Sequence, residues 1–320
     1  MKSFFKKKRI LVAGGTGCIG IPLVKQLIDF GSNVLVVSLD SNLKAKEHFK
    51  NKVKFLKLDL TNKKNCLRAV KNKEIVINLI GIKGNTRIGE RRVASYLVPM
   101  LRFQTNLIEA AYEKKIKKYV FVSSICAYPR LKLAKEESMW KGMPKQNDRI
   151  PGIAKRIGEL LSESYKLEYK WNASVILRPA NVYGPYDDFS TETGQVIPAL
   201  INKSLQKKNY LKVLGDGKDR RDFVFSEDVA YWILKSIVKA PGNFPINIGS
   251  GKAISIKQLA KMIVKLTNNK KKIYFTGGSK NNDPIRLLDI KRAKKKLSYY
   301  NKTSLINGLK KTIDWYKAQK

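Results

Sequence analysis

The chain has 320 residues, enough for a large α/β domain with a smaller domain appended to it. Its 65 Lys and Arg residues against 25 Asp and Glu give a net charge of +40, but the lysines are scattered and no nucleic-acid-binding motif accompanies them, so we expect no specific nucleic-acid partner. The 3 widely spaced cysteines argue against a disulfide framework and a zinc site, and no apolar run reaches the ~20 residues of a membrane span, so we expect a cytoplasmic protein without a metal.

Short, nearly all-apolar runs alternate with helical stretches through the first half of the chain. The predicted strands are Ile10–Ala13, Val34–Leu39, Val53–Leu58, Ile75–Ile80, Tyr119–Ser123 and Val175–Leu177. The predicted helices are Ile19–Phe30, Val98–Lys114, Pro151–Tyr169, Ser255–Thr267 and Thr303–Tyr316. Strands that are apolar on both faces indicate a buried parallel sheet, and right-handed crossovers make it a Rossmann-type doubly wound sheet.

The regular alternation weakens after Arg178, where turn-forming residues become frequent. We therefore expect residues 1–178 to form the Rossmann domain and residues 179–320 to form mainly a smaller C-terminal α/β domain. Segments of the two are expected to interleave.

The glycine-rich segment between the first strand and the first helix predicts a dinucleotide site. Gly14, Gly17 and Gly20 permit a tight turn and let backbone N–H groups approach a pyrophosphate at the helix N-terminus. Thr16 and Ile19 belong to the same loop. A glycine triplet in this context, at the start of a βα series, indicates NAD or NADP as the cofactor.

The end of the second strand leaves the choice between NAD and NADP open. An acidic residue there binds the ribose hydroxyls of NAD, and its expected position falls near Ser38. Asp40 follows two residues later and could bind the ribose if the loop is shifted. Otherwise Ser38 with a nearby lysine such as Lys44 would tolerate a 2′-phosphate.

Several motifs spread over nearly the whole chain resemble one known family. They are Val12–Gly20, Asp59-Leu60, Asn106, Ile80–Gly84, Ser123–Pro129, Lys155, Arg178–Pro185, Val196–Leu200 and Arg221–Phe223. Together they resemble the extended short-chain dehydrogenases/reductases, the NAD-dependent epimerase/dehydratase family. Within that family, several of these stretches resemble GDP-L-fucose synthase and related bacterial nucleotide-sugar epimerases.

The resemblance implies which residues bind the cofactor and the substrate. Further cofactor contacts are implied for Asp59, Leu60, Leu79, Gly81, Lys83, Ser123, Lys155 and Pro179. A nucleotide-diphosphate sugar is the implied substrate, held mainly within residues 179–320 by Asn181, Val196, Ile197, Lys203, Val213, Arg221 and Arg286. The two arginines would contact the diphosphate. A homodimer packed through the helices around Val98–Lys114 and Pro151–Tyr169 is also implied.

The resemblance also implies how the proton of a sugar hydroxyl is handled while hydride is exchanged with the cofactor. Ser124 would orient the substrate oxygen, and Lys155 would lower the pKa of a catalytic phenol and bind the nicotinamide ribose. The tyrosine should stand one helical turn before Lys155, but that position is Pro151. Tyr128, Cys126 or Asp148 would have to replace it.

Cys126 matches a cysteine that acts as an acid or base in this family, although a small buried residue is an equally good interpretation. The histidine that works with such a cysteine is replaced by Gln195, which does not titrate, so a double epimerisation is disfavoured. We interpret His48, the only histidine of the chain, as a surface residue.

The sequence thus predicts an NAD(P)-dependent nucleotide-sugar epimerase, dehydratase or reductase. It would act around C4 of a GDP- or UDP-hexose in the synthesis of surface-polysaccharide precursors. The alternative is a catalytically impaired Rossmann-fold protein that only binds NAD(P) or a nucleotide sugar. Pro151 and Gln195 motivate that alternative, whereas the retained Ser124, Lys155 and Arg221 count against it.

Overall fold

In the computed structural model the described residues are 1–82, 93–240, 242, 244–278 and 285–320. Their strands are β1 Arg9–Ala13, β2 Asn33–Ser38, β3 Lys54–Lys57, β4 Ile75–Asn78, β5 Lys118–Val122, β6 Ser174–Pro179, β7 Asn181–Tyr183, β8 Tyr210–Val213, β9 Arg220–Phe225, β10 Pro245–Ile248, β11 Ala253–Ser255, β12 Lys272–Phe275 and β13 Ile285–Arg286. Their helices are Lys2–Phe5, Gly20–Asp29, Asn42–Phe49, Lys63–Val70, Val93–Glu113, Arg149–Tyr169, Val196–Leu205, Ser226–Lys239, Ile256–Thr267, Lys291–Leu297 and Leu305–Lys317, with short 3-10 turns at Ile125–Ala127, Glu136–Trp140 and Gln146–Asp148.

Seven parallel strands form the main sheet in the order β10-β6-β5-β4-β1-β2-β3. The prediction of a Rossmann-type doubly wound sheet is confirmed. The predicted helix ends shift slightly, because the helix expected from Pro151 begins at Arg149 and the one expected from Val98 begins at Val93. The start at Val93 places Tyr96 inside this helix.

Burial of both faces explains why the strands of this sheet are almost wholly apolar. Along β1, Ile10 and Val12 pack into the core on one face, and Leu11 and Ala13 pack into the core on the other. The first core is covered by helices Gly20–Asp29 and Ser226–Lys239. The second is covered by helices that include Lys63–Val70 and Val93–Glu113. Alternating side chains thus need apolar partners on both sides.

The smaller α/β unit has its own sheet and its own core. Strand β9 pairs with β11, β13 and β7, and β8 pairs with β12. Helices Val196–Leu205, Ile256–Thr267 and Leu305–Lys317 supply much of the third apolar cluster. The chain after residue 178 also returns to the main sheet, where β10 pairs with β6.

A buried ion pair fastens the long helix Arg149–Tyr169 to β6. The Arg178 guanidinium donates to Glu159 through Nε at 2.9 Å and through Nη2 at 2.6 Å. Its Nη1 donates to the hydroxyl of Tyr128 at 2.8 Å. The helix that carries Lys155 is therefore held against the sheet by paired charges and not by apolar packing alone.

None of the described helices combines the length and the apolar character that crossing a bilayer requires.

Candidate active site

The glycine loop after β1 forms a cradle whose backbone requires glycine at Gly14 and Gly20. Gly14 has φ +80°, and a Cβ added there would lie 3.2 Å from the Leu79 carbonyl carbon. A Cβ added at Gly20 would lie 2.5 Å from the Gly14 carbonyl oxygen, which keeps the helix N-terminus close to the strand. At Gly17 an added Cβ would meet only the Gly14 oxygen, at 3.5 Å, so this side of the loop is open. The cradle fits a pyrophosphate against the N-terminus of helix Gly20–Asp29.

Residues predicted to hold the adenosine ribose lie beside this loop, at the ends of β2 and β3. Thr16 Oγ1 lies 2.6 Å from Asp40 Oδ2 and 2.8 Å from Ser38 Oγ. Asp40 also pairs with Lys44 at 2.8 Å. The Asp40 carboxylate and the Ser38 hydroxyl therefore both stand at the glycine loop. Asp59 and Leu60 follow β3, the neighbour of β2 in the sheet.

A cavity of about 910 Å³ lies at the carboxyl ends of β4, β5 and β6. It brings together most of the predicted site residues: Ile19, Leu79, Gly81, Ser123, Ser124, Cys126, Lys155, Pro179, Asn181, Val196, Ile197, Lys203, Val213, Arg221 and Arg286. Gly14, Thr16, Gly17, Gly20, Ser38, Asp40, Asp59 and Leu60 belong to the glycine loop and the ends of β2 and β3 instead. Lys83 lies outside the described residues.

Lys155 and Ser124 form the part of the cavity where the chemistry is expected. Lys155 Nζ donates to the Val122 carbonyl oxygen at 2.7 Å, and burial lowers the pKa of this lysine to about 8. Ser124 follows β5 and caps the 3-10 turn Ile125–Ala127, since its Oγ accepts from the Cys126 N–H at 3.2 Å. Burial, with a smaller contribution from the nearby charge of Asp148, raises the pKa of the Cys126 thiol to about 11. The thiol therefore keeps its proton at neutral pH.

Pro151 lines this cavity in the first turn of helix Arg149–Tyr169. It stands one turn before Lys155, about 6 Å away along the helix face, where the family pattern requires a phenol. Proline suits the first turn of a helix but offers no group that can exchange a proton. The usual Ser-Tyr-Lys arrangement is thus incomplete at this position.

Tyr128 does not fill the gap, which corrects the expectation that it handles the substrate proton. Its side chain is buried and is not part of the cavity lining. Its hydroxyl donates to Asn247 Oδ1 at 2.7 Å and accepts from Arg178 Nη1 at 2.8 Å. Burial also raises the pKa of this phenol to about 12. Tyr128 is a structural residue of the ion-pair network below the site.

His48 also differs from its predicted position at the surface. Its side chain is only 12% exposed, and its ring lies 5.0 Å from the ring of Tyr186. Burial lowers its pKa, so the imidazole is largely neutral at pH 7. His48 is not among the residues that line the cavity.

Three basic side chains gather where the sugar diphosphate is expected. Arg221 Nη2 lies 2.8 Å from Asp219 Oδ2, and Arg286 Nη1 lies 2.8 Å from Asp148 Oδ2. Lys145 lines the same cavity and was not singled out from the sequence. Burial, together with the charges of Arg286 and Arg221, lowers its pKa to about 7. In a chain with 65 basic residues, one lysine in a loop gives no signal that separates it from the rest.

Tyr96 is the second residue that the sequence did not reveal. It lies near the start of helix Val93–Glu113 and lines the cavity with Cys126 and Lys155. Burial raises its pKa above the usual range of a phenol. Because the sequence predicted this helix only from Val98, Tyr96 fell in the preceding loop and had no expected orientation.

Among the described residues, no group of three or more His, Cys, Asp and Glu side chains is arranged so that it could hold a metal ion.

The chain matches the profile of the NAD dependent epimerase/dehydratase family over residues 10–249. It belongs to that family. It is 29% identical over 315 residues to GDP-L-fucose synthase of Sinorhizobium fredii, with 96% of this chain and 95% of the relative covered. It is also 29% identical over 327 residues to GDP-L-fucose synthase of Escherichia coli, with 97% of each covered.

Solved structures of the family share the fold. UDP-glucose 4-epimerase of Thermotoga maritima, solved with UDP-glucose, has a TM-score of 0.86 and 28% identity, with 97% of this chain and 99% of that chain covered. A GDP-mannoheptose C4 reductase from Campylobacter jejuni, solved with NADP bound, has a TM-score of 0.80 and 25% identity, with 97% and 98% covered. The resemblance stated from the sequence, the enzyme class and the nicotinamide cofactor are thereby confirmed.

Proposed function

We propose that this epimerase/dehydratase family member reduces a ketone at C4 of a nucleotide-diphosphate hexose. The observation that carries the proposal is a single cavity shared by Ser124 and Lys155 with Arg221 and Arg286. Residues suited to bind the reacting sugar oxygen and residues suited to bind a diphosphate thus line the same cavity. A protein that only sensed the cofactor would have no use for the second set, which is why we do not favour the non-catalytic alternative.

The cofactor would be held by the glycine loop and by the groups around the ends of β2, β4 and β5. It supplies hydride exchange when bound. We propose NAD over NADP, because the Asp40 carboxylate stands 2.6 Å from Thr16 of the loop and would repel a 2′-phosphate. Lys155 would bind the nicotinamide ribose, and its amine, already within 2.7 Å of the Val122 oxygen, is fixed at the end of β5.

The diphosphate would be held by Arg221 and Arg286, with Lys145 as a third cation. Guanidinium groups bind phosphate oxygens through two parallel hydrogen bonds. Asn181, Val196, Ile197, Lys203 and Val213 line the remainder of the cavity, where we propose the base and the ribose. The two curated relatives named above are GDP-L-fucose synthases, which supports a GDP-hexose, whereas the Thermotoga structure holds UDP-glucose.

Reduction is proposed over double epimerisation because the groups for carbon deprotonation are poorly matched. Gln195 lines the cavity and cannot take up a proton. The Cys126 thiol, with a pKa of about 11, is a weak source of thiolate at neutral pH. A ketone reduction needs neither of them as a base. Its product would be an activated sugar for a surface polysaccharide.

We also propose the domain division at residue 178 and a homodimer. Helices Val93–Glu113 and Arg149–Tyr169 expose large apolar side chains, which supports packing against a second copy: Val93, Val98, Leu160, Leu167 and Tyr169.

The proposal is tested by incubating the purified protein with NADH or NADPH and a panel of GDP- and UDP-linked 4-keto-hexoses. Cofactor oxidation and product mass are followed together. We expect turnover of at least one sugar with NADH, and its loss in Lys155→Ala and Ser124→Ala. Lys166→Ala, on the same helix but outside the cavity, is the matched control and should keep full activity. Tight binding of cofactor and sugar without turnover across the panel would overturn the proposal and support the non-catalytic alternative.

A further inference from the structure

Because Pro151 stands where the family pattern has a tyrosine, another group must manage the proton of the reacting oxygen. Among the described residues that line the cavity, phenols come only from Tyr96 and Tyr183. The hydroxyl of Tyr183 donates to the Leu305 carbonyl oxygen at 3.3 Å, toward the C-terminal helix. Tyr183 thus serves the core of the smaller unit and not the chemistry.

The other titratable groups near Ser124 are engaged with protein partners or donate weakly. Lys155 already donates to the Val122 oxygen at 2.7 Å and is 3.4 Å from the Ile80 oxygen. Asp148 is paired with Arg286 at 2.8 Å. Cys126 carries a thiol, which is a weak hydrogen-bond donor.

Tyr96 lines the same cavity as Ser124 and Lys155 but lies on a different helix, Val93–Glu113. Its side chain is half-buried on helix Val93–Glu113, whereas Ser124 and Cys126 follow β5 and Lys155 lies on helix Arg149–Tyr169. Burial and the charge of the Asp148 carboxylate raise the pKa of its phenol. Tyr96, Ser124, Pro151 and Lys155 line one cavity.

We propose that Tyr96 is the catalytic acid that gives a proton to the reacting oxygen of the sugar, the task that Pro151 cannot perform. This inference rests on the proposed ketone reduction. The phenol would reach the substrate from helix Val93–Glu113 instead of from the helix that carries Lys155. The same chemical group is thus supplied from a different element of the fold.

The step balances with the nicotinamide as hydride donor. When the carbonyl carbon receives the hydride, the C=O π pair becomes a lone pair on the sugar oxygen. The O–H bond of Tyr96 breaks, its proton forms the new O–H bond of the sugar alcohol, and a phenolate remains. The phenolate then recovers a proton from water.

The environment of Tyr96 keeps its phenol protonated in the free protein. Burial, and after it the negative charge of Asp148, raise the pKa of the phenol, so it keeps its proton at neutral pH. A phenol in this state donates readily only to an oxygen that is gaining charge, as a ketone oxygen does during reduction. It is a poor base for the reverse oxidation.

The test measures the hydrogen bond directly as well as the rate. The probes are a GDP-linked and a UDP-linked 4-keto-6-deoxyhexose, each carrying ¹³C at the carbonyl carbon. Infrared difference spectra record the C=O stretch of the bound ketone in the wild type and in Tyr96→Phe. Calorimetry gives the affinity of each variant for the same probe. Tyr112→Phe, which removes the same atom from the same helix outside the cavity, is the control.

We expect the bound carbonyl to absorb at lower frequency in the wild type and in Tyr112→Phe than in Tyr96→Phe. We expect kcat to fall about 10²- to 10⁴-fold in Tyr96→Phe with the affinity for the probe nearly unchanged. Equal C=O frequencies and equal rates in all three proteins would overturn the role of Tyr96 alone. Failure of the wild type to bind either ketone would overturn the proposed function and this inference with it.

Discussion

Asp148 Oδ2 lies 2.8 Å from Arg286 Nη1, and each of the two side chains is only 14% exposed. Asp148 ends the 3-10 turn that leads into the helix carrying Lys155, whereas Arg286 ends β13 in the smaller sheet. The pair therefore joins the part of the cavity where we propose the reacting oxygen to the part where we propose the diphosphate. It holds the Arg286 guanidinium in one orientation before a substrate arrives.

Removal of either arginine should weaken binding of the nucleotide sugar without unfolding the protein. A hydrogen bond to a charged group contributes about 1.5–3 kcal/mol, so Arg221→Ala and Arg286→Ala should each raise the Kd about 10- to 100-fold. Isothermal calorimetry with a GDP-hexose measures this. The neighbouring Arg220, whose exposed side chain donates to the Ala253 oxygen, provides the control Arg220→Ala. An equal effect of all three substitutions would mean that only the overall charge matters.

Lys145 should make this affinity depend on pH near neutrality. Its pKa of about 7 in the free protein means that the ammonium is present below that pH and is lost as the pH rises through it. An anionic ligand favours the ammonium form, so the affinity should be highest at low pH and should fall between about pH 6 and pH 9. Lys145→Met should flatten this profile. A wild-type profile that is already flat would show that Lys145 does not face the ligand.

The cofactor preference should depend on Asp40. Asp40→Ala removes the carboxylate that stands 2.6 Å from Thr16 and leaves Lys44 available to a 2′-phosphate. We expect the ratio of kcat/KM for NADH to that for NADPH to fall by at least about tenfold, since a carboxylate near a phosphate costs roughly one to a few kcal/mol. Steady-state kinetics with the two cofactors measures the ratio. An unchanged ratio would place the ribose away from Asp40.

The cofactor half of the site was predicted from local chain geometry, which the sequence specifies directly. Gly14 and Gly20 are required by a positive φ and by a close backbone approach, and both lie within one strand–turn–helix unit. Arg221 and Arg286 were found through the motifs around them. Their partners, Asp219 and Asp148, were not identified because such pairing depends on tertiary packing.

The residues that the sequence missed or misplaced depend on packing between distant segments. Tyr128 follows the Ser124 strand in the family pattern, but its hydroxyl turns toward Asn247, 119 residues later in the chain. Tyr96 enters the cavity only because the helix begins at Val93, before the predicted start. Lys145 has the same identity as dozens of surface lysines, and only its burial between two arginines distinguishes it.

The buried pair of Arg178 and Glu159 should be a main determinant of stability. Glu159→Gln leaves a guanidinium that is 2% exposed without its counter-charge, which should lower the free energy of unfolding by about 3–5 kcal/mol. Urea unfolding followed by circular dichroism measures the loss. Glu163→Gln on the exposed face of the same helix is the control and should change it by less than about 0.5 kcal/mol. Equal losses in the two variants would contradict the role of the pair.

The transfer of hydrogen from the cofactor to the sugar tests the central claim most directly. The protein is incubated with NADH carrying deuterium at the transferred position and with the 4-keto nucleotide sugar that it binds, and the product is analysed by mass spectrometry and NMR. The account predicts one deuterium on C4 of the product, absent from the reaction with Lys155→Ala. A saturated complex with both ligands that yields no labelled sugar would contradict it.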